Sequence, residues 1–303
     1  MRQLRPFAAV FATVMVVLVA AAAAPTFPAR LVAGTLYTIR SAHSPTPMQS
    51  PTDTAYVAEV AMASGRGRMD VVSGAEPPMF KAGDYILFDT TGYVIVHPST
   101  KTYSTIPDFS AMSGQIGDMM KLSDVKISID TLERGTVNGM RATHYRTNMS
   151  FTMTMDMSSF GVSAAQAPPP MRSDMKGDVW YADSIEETPN PFLKTADQLP
   201  AIPFISPILD EMKKVRASLP AHRLAVKMEN SVHVNAMGQE NTNHSVAEIT
   251  DFRRGDVDVS RLVLPPDYTQ ATIPGMEMLG PPTPLTPDAL AKWRAVPKPL
   301  FAP

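Results

Sequence analysis

From Asn148 to Met157 the chain alternates strictly. Met149, Phe151, Met153, Met155 and Met157 share one parity, and Asn148, Ser150, Thr152, Thr154 and Asp156 share the other. In an extended strand successive side chains point to opposite faces, whereas a helix spreads a period of two around its circumference. The pattern therefore predicts a β-strand with one thioether and aromatic face and one polar face. A chain built on such strands has to cover one side of a sheet and hydrate the other.

Other segments carry the same signal. Tyr56, Ala58, Val60 and Met62 alternate with smaller or charged residues, as do Val125, Ile127 and Ile129. The runs Asp84–Asp89 and Tyr93–His97 flank Thr90-Thr91-Gly92, which predicts a hairpin, and Lys101–Ile106 returns as a third strand. Arg66–Val72 alternates less cleanly. Asn138-Gly139 predicts a tight turn before a long strand from Arg141 to Met157, and 178–182, 223–234 and 243–252 read as further strands. Short strands joined by turns make meanders rather than βαβ units.

Helix signals are few. Ser206 and Pro207 suit a helix start, and Phe204, Ile208, Met212, Val215 and Leu219 fall on one face before Pro220. Phe109–Lys121 reads as a loose helix, Asp288–Val296 as a short one, and Ala42–Asp53 as a loop. One β-rich domain is expected over residues 30–271. A proline-rich tail, 272–303, is expected either to wrap the domain or to stay unstructured.

At the N-terminus, Arg2 and Arg5 precede an uncharged run from Phe7 to Ala24 that ends in alanines. This predicts a signal peptide over residues 1–24, cut after Ala23. An uncleaved anchor is the alternative, which would make the N-terminus the chain's one membrane tether. Either way the protein is expected to be exported, to the periplasm, the cell envelope or the outside.

Composition narrows the chemistry. The absence of cysteine rules out disulfides, thiolate metal sites and cysteine nucleophiles. A net charge of −2 offers no basic surface for nucleic acid. The six histidines, His43, His97, His144, His222, His233 and His244, form no HExxH, and no GxSxG elbow or phosphate loop is present. No catalytic residue and no cofactor are therefore expected. Asp70, Asp84 and Asp89 read as turn caps, and Gly65-Arg66-Gly67-Arg68 as a solvated basic turn.

Three readings of the methionine face stand side by side. It can be ordinary core packed on the Phe204–Leu219 helix. It can line an apolar cavity for a lipid or other hydrophobic ligand, with Met149, Phe151, Met153, Met155, Met157, Phe204, Ile208 and Met212 as liners, since Met conforms to irregular partners. It can also bind Cu(I) through Met153, Met155 and Met157, since thioethers are soft ligands.

Several segments together resemble a known family. Arg66–Asp70, Lys81–Asp89, His97–Tyr103, Gly177–Tyr181 and Leu264–Tyr268 are similar to strand signatures of the periplasmic lipoprotein-carrier-like superfamily, over about Thr54–Tyr268. The resemblance implies a mainly β (α+β) fold, a curved antiparallel sheet or half-barrel with one or two helices packed on the concave face. It also implies a non-enzymatic envelope protein that holds acyl chains or a lipidated partner. The chain is longer than the true carriers and has no match to their concave-face arginine. A structural module that meets an envelope partner through its tail or a sheet edge is the other expectation.

Overall fold

Alternation along the chain becomes pairing across one large sheet. The computed structural model describes residues 30–44, 55–76, 79–105, 120–156, 168–186, 206–216, 218–220, 223–236, 239–273 and 282–298. Seven strands come first: β1 (Leu31–His43), β2 (Ala55–Ala63), β3 (Arg66–Glu76), β4 (Phe80–Lys81), β5 (Tyr85–Asp89), β6 (Tyr93–His97) and β7 (Thr102–Ser104). Long strands follow, β8 (Met120–Val137), β9 (Met140–Met155) and β10 (Met171–Glu186), then helix α1 (Ser206–Arg216). The chain continues with β11 (Arg223–Ala236), β12 (Gln239–Asp258), β13 (Thr269–Gln270) and helix α2 (Pro287–Arg294).

The strand order is β13-β7-β6-β5-β3-β2-β1-β12-β11-β10-β9-β8, with β4 beside β3. Two meanders, β1 to β7 and β8 to β12, are joined by the long antiparallel pair β1–β12. This corrects the expected half-barrel. The sheet is mixed, because β13 pairs with β7 in parallel, and it is neither closed nor strongly curled. The helices do not fill a concavity: α1 packs along the edge strand β8, and α2 lies against β5 and β6.

Burial explains why curling is not required. Tyr37, Ile39, Val60, Met69, Ile86, Phe88 and Ile95 form the main core on one face. The opposite parity of β5 and β6, Tyr85, Leu87, Val94 and Val96, packs with Leu264, which follows β12, and with Trp293 of α2. These two strands are therefore covered on both sides by separate pieces of chain. Their near-continuous apolar runs follow from that double burial.

The expected hairpin is present, and Asp89 caps its turn by accepting from the Thr91 and Gly92 amides at 2.6 and 3.2 Å. Asn138 and Gly139 take φ of 47° and 80°, as a primed hairpin turn requires. Asn138 Nδ2 also donates to the Ile249 carbonyl at 2.8 Å, tying this turn to β12. Of the loose helix expected over Phe109–Lys121, only Met120 and Lys121 lie within the described residues, and both belong to β8. Ala42 and His43, read as loop, complete β1.

Candidate functional site

In-register partners share a sheet face, so the position of the methionine row follows from pairing alone. Ile39 pairs with Ile249, and both are buried in the main core. Ala247, two residues from Ile249, pairs with Met228, Met228 with Val179, and Val179 with Tyr145. Met149, Phe151, Met153 and Met155 continue the parity of Tyr145 along β9. The methionine row therefore lies on the same face of the sheet as the core of β1–β6.

Across the strands this face is apolar. Ile127, Met149, Met175 and Val232 pair in sequence from β8 to β11. Leu122, Met153 and Met171 form a second row, and Met120 pairs with Met155. Met149, Phe151 and Met153 are half-buried, and Met155 is 36% exposed. None of the four belongs to a buried core cluster among the described residues. Ile208 is half-buried on α1 and Met212 is 37% exposed there. Met157 and Phe204 lie outside the described residues.

The reverse face is polar. Lys126, Ser128, Asn148, Ser150, Asp174, Lys176, Ser231 and His233 pair in two parallel rows and line an open groove of about 620 Å³, which Ile127, Met149 and Met175 also border. A second groove of about 440 Å³ separates Leu122–Val125 of β8 from the Ser206, Asp210 and Lys214 side of α1.

Lower on β9, His144 and Asp178 are buried within a polar cluster whose other members, Glu133, Arg146 and Lys176, reach solvent. His144 is 5% exposed and lies between Asp178 Oδ1 at 2.7 Å and Glu133 Oε1 at 3.1 Å. Its ring stacks on Trp180 at 4.1 Å with planes 12° apart. Arg146 donates to Asp178 at 2.9 Å, and Lys176 approaches its other oxygen at 3.4 Å. Burial opposes the Asp178 charge, but hydrogen bonds from His144 and Arg146 outweigh it and hold the carboxyl below its usual range. The cluster ties together three adjacent strands, since Glu133 lies on β8, His144 and Arg146 on β9, and Asp178 on β10. Sequence reasoning placed His144 on the polar parity but had no means of pairing it with Asp178, 34 residues away. Among the described residues no group of three or more His, Asp or Glu could hold a metal ion.

No family model matches the sequence, and no curated protein matches it. Among solved structures the chain is similar to the Mycobacterium tuberculosis lipoprotein LppX, at 7% identity and a TM-score of 0.24, over 72% of this chain and 85% of that one.

Proposed function

We propose that this chain is a non-enzymatic, exported β-sheet protein that holds a lipid, or the acyl chain of a lipidated partner, against the apolar face of β8–β11. One observation carries the reading. The face that bears the core in β1–β6 continues into the row Ile127, Met149, Met175 and Val232, which no buried cluster absorbs among the described residues. Ordinary core would place these side chains among the buried residues, and they are only half-buried. Export rests on Arg2, Arg5 and the uncharged run from Phe7 to Ala24.

The energetics are adequate. Each acyl methylene removed from water is worth about 0.8 kcal/mol, so ten would offer about 8 kcal/mol before the cost of association. Methionine side chains adjust to such a chain without a preformed mould.

A fluorescent fatty-acid probe titrated into the full chain tests this. Saturable binding is expected, unchanged in Met149→Leu and at least about tenfold weaker in Met149→Glu, since a charge on this face goes unpaired when the ligand excludes water. Thermal melts of both variants establish that the sheet is intact. A native protein that binds no probe, or a folded Met149→Glu that binds equally well, contradicts the proposal.

A further inference from the structure

The strand order ends at β8, whose outer edge meets no further strand among the described residues. In an antiparallel sheet such an edge presents the N–H and C=O of every second residue outward, a template for another strand. The opposite end of the sheet offers little, since β13 has only two residues. The usable length of β8 is set by its irregularities. Its register with β9 shifts between Ser123 and Lys126 and again between Thr131 and Arg134, and α1 borders Leu122–Val125. Between these limits, Lys126 to Thr131 pair without interruption with Ser150 to Tyr145. Lys126, Ser128 and Asp130 are exposed on one face of this stretch, and Ile127 and Ile129 are half-buried on the other. Among the described residues Lys126 meets no carboxylate. Asp130 meets no cation and accepts only from Asn148 Nδ2 at 3.4 Å, because its β9 partner Arg146 is turned to Asp178. Four residues of strand hold Lys126 and Asp130 about 13 Å apart, so they cannot satisfy each other.

We infer that the Lys126–Thr131 edge of β8 receives β8 of a second copy of this chain, antiparallel, about a two-fold axis at Ser128. In that register Ser128 faces its own counterpart, Ile127 faces Ile129, and Lys126 faces Asp130 of the other copy. Paired residues are equally far from the axis, so every pair joins residues of one parity. Whichever parity turns its backbone outward therefore meets its like, and the new ladder closes. Direct cross-strand partners have Cβ atoms about 5 Å apart, so each Lys126 reaches an Asp130, twice over by symmetry. Ile127 and Ile129 pair on the other face, which joins the apolar faces of the two sheets. An axis at Ile129 instead sets Lys126 against Leu132 and leaves both charges unmatched. A second copy fits because it already carries the two charges in reverse order. The pairing does not require a bound lipid.

Charge reversal tests the register. The chain, purified out of an exporting cell, is expected to show a monomer–dimer equilibrium in sedimentation over a concentration series. Lys126→Glu and Asp130→Lys each turn both ion pairs into like-charge pairs, and each is expected to weaken the dimer about tenfold or more. Mixing the two variants restores both pairs in a heterodimer, so native affinity should return. Thermal melts establish that each variant is folded. Cross-linking supplies a second test, since the native chain has no cysteine. Ser128→Cys places two thiols in a direct cross-strand pair, within the span of a disulfide, and mild oxidation should yield a covalent dimer. In Lys126→Cys or Asp130→Cys the two thiols are about 13 Å apart along the strands, so neither variant should cross-link. A native chain that stays monomeric overturns the inference, as it would if the edge took a strand from another protein. So do unchanged affinity in the folded single variants, a mixture that fails to recover, or equal cross-linking at all three positions.

Discussion

Arg66 shows how far one side chain can depart from its local pattern. Between two glycines it reads as part of a solvated turn, yet it is 5% exposed within β3. Its guanidinium donates to the carbonyls of Leu262, Lys292 and Ala295 at 3.0, 2.9 and 2.8 Å and lies over the Trp293 ring at 5.1 Å. Burial works against this charge and Asp89 works for it. The carbonyl acceptors come from about 200 residues downstream, so no local reading could have found them. Gly67 beside it is legible only in three dimensions too, because a Cβ there would enter the Phe88 ring. Asp89 completes the lock through Lys292 at 2.7 Å. Burial raises its pKa, but hydrogen bonds from Lys292 and Thr91 outweigh this and hold it below the usual range. A carboxyl depressed on folding stabilises fully above its unfolded value, near 4, and loses that contribution as pH falls through the folded value. Asp89→Asn is therefore expected to lower the melting temperature at neutral pH and to flatten its fall below about pH 4. An acid limb as steep as that of the native protein contradicts this role.

Among the elements, turns and parities were readable and lengths were not. Asn138-Gly139, the β5–β6 hairpin and the two faces of β9 follow from local chemistry. The lengths of β8 and β12, 18 and 20 residues, do not, since charged and polar residues inside them are sustained by partners on neighbouring strands. The same limit applies to the candidate site. Met153 and Met155 are evident from alternation, whereas Met120 and Met171 join them only through register. Helix α2 has readable ends, with Thr286 accepting from the Ala289 amide at 3.2 Å and Pro287 opening the first turn. Its role is not readable, because it depends on Trp293 covering the second face of β5 and β6. Trp293→Ala is expected to cost about 3–5 kcal/mol in chemical denaturation and to make the 282–298 segment sensitive to brief proteolysis. Unchanged stability and protection would show that α2 is not part of the fold.

For the whole molecule, the β class was legible and the shape was not. Period-two patterning predicts strands but says nothing of which edges meet, and the pair β1–β12 spans almost the entire domain in sequence. The family resemblance supplied a curled half-barrel. The chain instead forms an open mixed sheet whose second face is covered locally by α2. An apolar face thus extends beyond the packed core, and the proposal that it receives a hydrophobic guest is the central claim. Mass spectrometry of organic extracts, from native protein and from Met149→Glu purified out of an exporting cell, tests it most directly. The account predicts an acyl lipid near one per chain in the native extract and little in the variant. Native protein that yields no lipid contradicts it.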